Sequence, residues 1–166
     1  MSQSSTTLGI AAHTNGVPLI GKTKEFKPPT VEKVTEGVSG GRAIEGTRTK
    51  GWKMNPWSFQ QEGMTAEIAN QMGLGAGDTY SLTFKESILD SDGNKIPYVH
   101  EITGEITKRG KDSSKTTDED VWSLEGFANT YKLTINGTVV DDINIKTQKV
   151  IIGGVDQMAD HLANIR

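Results

Sequence analysis

The stretch TYKLTINGTVVDDINI, residues 130–145, decides the fold class of this chain. Asn136-Gly137 stands between two runs of β-branched and apolar residues, and both residues tolerate the positive φ that a two-residue hairpin turn needs. Before the turn, apolar side chains alternate with polar ones, which is the period of a half-buried strand. The alternating apolar residues are Tyr131, Leu133 and Ile135. The stretch therefore predicts a long antiparallel ribbon.

The remaining chain carries more strand signals and two helix signals. Asn15-Gly16 lies between apolar flanks and predicts a second hairpin. The segment 64–73 predicts a short helix with Ile68 and Met72 on its packing face, and the segment 155–166 predicts another. We therefore predict a mainly β protein: an antiparallel β-barrel or sandwich with one packed α-helix and a short C-terminal helix.

At 166 residues the chain is most simply one domain. Residues 1–7 are rich in Ser, Thr and Gln and predict a flexible N-terminal arm, followed by a single domain over 8–166. Residues 39–56 hold four glycines and scattered basic residues without a period, so they predict a long loop. Loops of that length in compact domains are usually functional or disordered. Further on, the apolar residues Trp122 and Leu124 alternate on one strand face and Phe127 and Tyr131 on the other, so a bulge is expected between them at Gly126.

Composition limits the functions that the chain can have. It has no cysteine, which excludes disulfides, thiolate metal sites and cysteine nucleophiles. The N-terminus lacks the pattern of a signal peptide, and no run approaches the ~18 apolar residues of a membrane span, so we expect a protein made and kept in the cytoplasm without membrane contact. Residues 1–53 carry a net charge of +4 and residues 54–166 a net charge of −7. These charges are either solvated faces or a basic surface that meets an acidic one on the next subunit.

Three motifs look like ligand sites, but each has a better structural interpretation. The glycines at 73–77 follow a predicted helix, whereas a phosphate loop precedes one. The stretch 90–101 matches several ligand positions of a calcium loop, but Lys95 stands where that loop needs glycine, so we predict a hairpin turn. The histidines are His13, His100 and His161, and none of them has a nearby partner at the spacing of a metal-binding pair. No serine stands in the sequence pattern of a nucleophile elbow. We expect no catalytic residue, no metal site and no cofactor.

The order of these signals carries a resemblance that runs from about residue 8 to the end. Its parts are the turn at Asn15-Gly16, the loop GVSGGRAIEG, the segment AEIANQMGLGAGDTYSLTFKESI, the hairpin DSDGNKIPYVHEITGEI, and the opening ribbon leading into IIGGVDQMADHLANI. Together they resemble the major tail tube protein of contractile-tailed bacteriophages. The resemblance implies a structural subunit that forms stacked hexameric rings inside a contractile sheath, and double-stranded DNA passes through the channel without specific binding.

The resemblance also implies partners and a location. Besides further copies of the chain, the partners are the sheath, tape measure, baseplate and tail terminator proteins, in a virion tail assembled in the host cytoplasm. We expect loop 39–56 to make contacts between subunits or rings. The contact candidates are Gly40, Gly41, Arg42, Arg48 and Lys50. Asp141 or Asp142 is expected to face the channel and repel phosphate, and only one can do so in a regular strand.

Two alternatives stay open. A phage-derived bacteriocin or contractile injection device has the same tube with a different cargo. A β-sandwich module that binds a ligand such as carbohydrate belongs to another class, although the tryptophans are too scattered to mark a sugar platform.

Overall fold

In the computed structural model, the structure describes residues 5–14, 17–18, 22–38, 40–41, 43–63, 66, 77 and 79–165. Twelve strands and one helix lie within these residues. The strands are β1 Thr6–Thr14, β2 Val17–Pro18, β3 Lys22–Lys27, β4 Val31–Val38, β5 Gly46–Met54, β6 Trp57–Glu62, β7 Tyr80–Leu89, β8 Lys95–Lys111, β9 Val121–Ile135, β10 Thr138–Asn144, β11 Lys149–Ile152 and β12 Val155–Asp156, and the helix is α1 Ala159–Ile165. No helix among the described residues is long and apolar enough to cross a membrane.

Ten strands form one antiparallel sheet that branches at β9. The main path runs β12-β11-β10-β9-β8-β7-β1-β2. The first part of β9 pairs with β6, which pairs with β3, and the second part pairs with β10. Because β1 also contacts β3, the six strands β3, β6, β9, β8, β7 and β1 wrap into a barrel. The prediction of a mainly antiparallel β fold is confirmed.

Aromatic side chains fill the barrel. Phe26 stacks on Phe84 with ring centroids 3.8 Å apart, and Trp57 stacks on Phe59 at 5.9 Å. Leu82, Ile102 and Leu124 complete the core from β7, β8 and β9. Buried residues recur at every second position along β6 and over 100–106 of β8, and β7 buries residues 82, 84 and 88 on the same period of two that one apolar face requires. The outer face of the sheet is correspondingly polar.

The opening ribbon forms as predicted, but the bulge before it lies elsewhere. Ile135 pairs with Thr138 around a turn in which Asn136 and Gly137 have φ of 49° and 81°. The change of phase in β9 falls between Ala128 and Thr130, so the extra residue is Asn129. The predicted bulge at Gly126 is therefore wrong. Gly126 pairs with Trp57 of β6 and Ile106 of β8, and the bulge beside it falls on β8, at Thr107, rather than on β9.

The predicted loop 39–56 is wrong over half of its length. Residues 46–54 form β5, which pairs with β4 in a two-stranded sheet separate from the barrel. Both faces of β5 are largely exposed, so the sequence lacks the apolar alternation that marks a half-buried strand. Between the two strands the structure describes residues 40–41 and 43–45, which we call the turn. We call β4, this turn and β5 the arm.

Two end segments also differ from expectation. Residues 1–7 were predicted to be a flexible N-terminal segment, but Thr6 and Thr7 belong to β1. They pair with Leu89 and Ile88, because the edge of β7 supplies backbone partners. The C-terminal helix is present from Ala159, but Val155 lies in β12. The predicted helix 64–73, with Ile68 and Met72, lies outside the described residues except for Ala66, whose backbone is helical.

Candidate functional site

The arm leaves the barrel through a short neck. The main-chain N–H of Asn55 donates to the Thr30 carbonyl at 2.8 Å, and its side-chain amide donates to the Thr30 hydroxyl at 2.8 Å. Three prolines flank this pair at positions 28, 29 and 56, and their rings fix φ. The neck therefore fixes where and in which direction the arm projects.

Cross-strand ion pairs hold the two strands of the arm together. Glu36 accepts hydrogen bonds from Arg48 and, at 2.9 Å, from Lys50. Nearer the neck, Lys53 lies 2.9 Å from Glu32 and lowers the pKa of that carboxyl. Such exposed pairs are each worth about 0–1 kcal/mol, so they support the register more than they stabilise the arm.

The structure places the predicted contact residues along the arm. Gly40 and Gly41 lie in its turn with φ of 44° and 80°, a conformation that glycine adopts at little cost. Arg48 and Lys50 lie together on β5 and share Glu36, with 67% and 55% of their side chains exposed. Arg42 lies outside the described residues. The arm thus presents basic side chains that already have an acidic partner in the same chain.

An apolar tip and an apolar groove lie at opposite ends of the arm, and sequence reasoning missed both. Ile44, in the turn, is 83% exposed. At the neck end, a groove of about 300 Å³ opens between β5 and the β10–β11 ribbon. Its apolar lining comes from Val31, Trp52, Met54, Ile143, Ile145 and Val150. A lone isoleucine in a glycine-rich turn was the one sequence signal that pointed to the tip.

The two predicted channel residues lie on opposite faces of β10. Asp141 pairs with Leu133 on the core side of the sheet, and its carboxylate accepts the main-chain N–H of Gly153 at 3.3 Å. Asp142 pairs with Lys132 on the outer side and accepts a hydrogen bond from Lys149 at 2.9 Å. Successive side chains of a strand point to opposite faces, so these two neighbouring residues are separated as a regular strand requires.

Asp142 belongs to a row of alternating charges across the outer face. Glu101 of β8 stands opposite Lys132 of β9, which stands opposite Asp142, which in turn reaches Lys149 of β11. Neighbouring outer positions on β7, β8 and β9 are mostly hydroxyl residues: Ser81, Thr83, Thr103, Thr130 and Thr134. We call this surface the polar face. Charges of opposite sign stand on neighbouring strands of this face, so they partly offset one another.

A buried polar chain crosses the barrel interior behind this face. His100 is 4% exposed, and its ring nitrogens lie 2.8 Å from the Tyr131 hydroxyl and 3.0 Å from the Glu86 carboxylate. Burial raises the pKa of Tyr131, and the charges of Asp141 and Glu86 raise it further. The sequence showed no partner near His100 at metal-pair spacing, and it could not reveal these partners, because they lie far away in the chain on β7 and β9.

The geometry gives no sign of bound metal among the residues that are described. No group of three or more acidic or histidine side chains there is placed to hold an ion. In the loop that resembled a calcium site, the Asp90 carboxylate instead accepts the main-chain N–H groups of Asp92 and Asn94 at 3.0 and 2.8 Å. That carboxylate therefore closes the hairpin turn between β7 and β8.

Three solved structures share this fold. A type six secretion system protein has a TM-score of 0.59 at 10% identity and covers 85% of this chain and 98% of its own. The PVC sheath/tube terminator of an extracellular contractile injection system has a TM-score of 0.56 at 9% identity, covering 76% and 94%. A chain of the anti-feeding prophage baseplate has a TM-score of 0.55 at 7% identity, covering 81% and 97%.

A comparison with curated proteins found no match. The family model described as Phage tail tube protein FII matches residues 8–165, which agrees with the extent of the resemblance drawn from the sequence. Because that model spans nearly the whole chain, the protein belongs to the phage tail tube protein FII family and is a tail tube subunit, a structural component of a phage-type tail.

Proposed function

We propose that this subunit forms the inner tube of a contractile tail or a related injection device. In this proposal, copies of the chain close into hexameric rings, and the rings stack into a hollow tube inside a sheath. The observation that carries the proposal is the arm, a paired hairpin held apart from its own barrel by the neck. An exposed hairpin of this kind is suited to reach a neighbouring copy.

The fold neighbours support a contractile system with six-fold symmetry. One is a sheath/tube terminator of a contractile injection system, and another belongs to a baseplate that was six-fold symmetrised. By this analogy, the partners of the chain are the sheath, baseplate, terminator and tape measure proteins. A heterologous contact repeated by rotation closes a ring, and the same chain repeated along an axis makes a tube.

We assign the polar face to the channel wall, with double-stranded DNA as the cargo. Asp142, on this face, becomes the channel candidate, whereas Asp141 is turned toward the core. Because Asp142 forms an ion pair with Lys149 and stands opposite Lys132 on the next strand, the wall acts through balanced charge rather than through simple repulsion. A hydroxyl-rich surface with charges of alternating sign neutralises few phosphates and releases few of the counterions condensed on DNA, so DNA slides instead of binding.

Assembly is tested by negative-stain electron microscopy of the purified protein together with light scattering. We expect rings or hollow tubes and a mass that rises with concentration. A monomer that stays monomeric at every concentration, and also when a tail initiator complex is added, would contradict the proposal.

The channel assignment is tested by charge reversal on the polar face. Asp142→Lys places a new cation beside Lys132 and Lys149, and we expect the resulting tubes to retain DNA in a gel-shift assay and to deliver it poorly. The matched control is Asp118→Lys, which makes the same change of net charge in the exposed loop between β8 and β9. If the two variants deliver DNA equally well, Asp142 does not line the channel.

A further inference from the structure

A shallow depression of about 620 Å³ lies on the outer face of the sheet, where β1, β7 and β8 run side by side. Gly9, Ser87 and Pro97 stand opposite one another on these three strands and form its floor. Lys85 lies on one side of this row and Lys95 on the other, so a cation borders each end of the depression. We call this depression the lysine site.

The lysine site continues the polar face. Lys85 pairs with Val99 of β8, which stands two residues before Glu101 in the row of alternating charges. Lys95 lies four residues before Val99 on the same strand. Because side chains two residues apart share one face of a strand, both lysines point to the side on which Asp142 lies. The lysine site therefore lies on the surface that the proposed function assigns to the channel wall.

Both lysines are exposed, and no paired carboxylate offsets their charges. Within the described part of the chain, no ion pair uses Lys85 or Lys95. Glu101 is a diagonal neighbour of Lys85 on this face but forms no ion pair with it. Glu86 also borders the site, but its side chain turns to the opposite face and contacts His100. The site thus offers two cations that an anionic ligand can neutralise.

The shape of the site favours a polyanion that binds through its backbone charges. β7 is paired with β1 on one side and with β8 on the other, so it offers no free edge to a peptide strand. The floor of glycine, serine and proline has no aromatic ring on which a base could stack, and no amide or guanidinium group that could read a base edge. Two point charges on such a floor match phosphate contacts, which position nucleic acid without reading its sequence.

The spacing of the two lysines suits separate phosphate groups. Lys95 stands opposite Leu89, which is four residues from Lys85 along β7. At roughly 3.3 Å per residue and 4.8 Å between strands, the two Cα atoms lie about 14 Å apart. This separation lets each ammonium group contact a phosphate of its own. Because lysine is a compact, hydrated point charge on a flexible stem, these contacts need no fixed geometry and suit a backbone in motion.

We propose that the lysine site contacts phosphate groups of double-stranded DNA as the DNA passes along the channel. This inference rests on the proposed function and adds the place on each subunit where the DNA backbone touches the wall. In a ring of six copies, the sites lie at one height and form a belt of cations. The rest of the polar face carries charges of alternating sign, so phosphate neutralisation is confined to this belt, and DNA slides from the belt of one ring to that of the next.

NMR titration of full-length, unassembled subunits with a short DNA duplex tests the site without requiring tubes. We expect the amide signals of Gly9, Lys85, Ser87 and Lys95 to shift as DNA is added and to return as salt is raised. Poly-glutamate is the comparison probe, because it carries negative charge without phosphate. If DNA leaves these signals in place, the site is wrong. Shifts with poly-glutamate that equal or exceed those with DNA at the same charge concentration would overturn the assignment to DNA.

Charge removal measures the contribution of the two lysines to DNA affinity. The change is Lys85→Gln together with Lys95→Gln, and the assay is the fluorescence anisotropy of a labelled duplex. Each phosphate contact adds about 0.9 to the slope of log affinity against log salt. Between about 50 and 200 mM salt, wild-type subunits should therefore lose about 10-fold more affinity than the variant.

The matched control is Lys115→Gln together with Lys146→Gln, which removes the same charge from two exposed loops. We expect this control to keep the wild-type salt dependence. Lys85→Arg together with Lys95→Arg retains both charges and should also behave like the wild-type protein. Circular dichroism confirms that all three variants fold.

The outcomes separate this site from the proposed function. If tubes form and deliver DNA, but the Lys85→Gln, Lys95→Gln variant keeps the wild-type salt dependence, the site is wrong while the tube assembly stands. A control that changes as much as this variant would show that only net charge matters and would also overturn the site. If DNA shifts the expected signals but no tubes form under any condition, the proposed function fails, and the place of this site in a channel fails with it.

Discussion

Gly104 is the position where adding a single methyl group tests the branched sheet most sharply. It is buried in β8 opposite Ala128, beside the Asn129 bulge of β9. A Cβ at this position would approach the Ala128 Cα to 2.9 Å and the Phe127 carbonyl carbon to 3.0 Å, and would press on the Phe127 carbonyl oxygen. All three atoms are backbone of the neighbouring strand, so no flexible side chain can move aside.

The same strand offers a matched control at Gly110, where an added Cβ meets nothing within 4 Å. There, Gly→Ala restricts only the unfolded chain, and we expect a gain of about 0.4–1 kcal/mol in the free energy of unfolding. At Gly104 the same entropic gain is opposed by about 1–3 kcal/mol of overpacking. We therefore expect Gly104→Ala to lose about 1–2 kcal/mol.

The assay is urea unfolding of unassembled subunits, followed by the fluorescence of the three tryptophans. With a slope of about 2 kcal/mol per molar urea, the midpoint should fall by about 0.5–1 M for Gly104→Ala and rise slightly for Gly110→Ala. If both variants shift the midpoint upward, β8 and β9 do not approach this closely at the bulge. That result would refute the register on which the barrel depends.

Three further predictions concern polar groups. Tyr131→Phe leaves a ring nitrogen of buried His100 without its partner, so urea unfolding should show a loss of about 1–3 kcal/mol, and a loss below about 0.5 kcal/mol would contradict the buried chain. Because the folded-state pKa of Tyr131 is raised above its ordinary value of 10.0, stability should be unaffected by this group below about pH 10 and fall above it by up to about 1.4 kcal/mol per pH unit. Midpoints at pH 9, 10 and 11 check this, and Tyr131→Phe should show a shallower fall, whereas equal slopes would count against it. Glu36→Gln removes the shared partner of Arg48 and Lys50 and should change the free energy of unfolding by less than about 1 kcal/mol in 0.15 M salt, so a larger loss would show that these charges are shielded from water.

Local chemistry made the ribbon at 130–145 and the hairpin at 90–94 predictable. An Asn-Gly pair determines its own turn, and an Asp that caps two N–H groups does the same, without help from distant residues. The apolar alternation before the turn at Asn136-Gly137 identified the core side of β9 for the same reason: one buried face imposes a period of two. These features need only neighbours in sequence.

The arm and the bulge depend on partners that lie far away, so the sequence did not reveal them. β5 is a strand because β4 pairs with it, and its two exposed faces give no apolar period. Asn129 is the bulge because β9 changes partner there from β6 to β10, and the carbonyl of that residue accepts the main-chain N–H of Ile145 at 3.0 Å. Gly126 was the more obvious bulge candidate, but its missing side chain makes room for Trp57.

The candidate site was predictable in part. The alternation of side chains along a strand already predicted that Asp141 and Asp142 point to opposite faces of β10. The structure adds that Asp142 is the outer residue and that Lys149 forms an ion pair with it. Arg48 and Lys50 were chosen for their charge, yet each has Glu36 as a partner in the same chain. The groove was beyond prediction, because it forms between elements that are distant in sequence.

A cryo-electron microscopy reconstruction of the assembled protein tests the central claim most directly. The account predicts a hollow tube of stacked six-membered rings, with the polar face that carries Lys132 and Asp142 turned toward the lumen. A tube whose lumen is lined by another surface would contradict the channel assignment, and a protein that forms no tube, even with its tail initiator, would contradict the account as a whole.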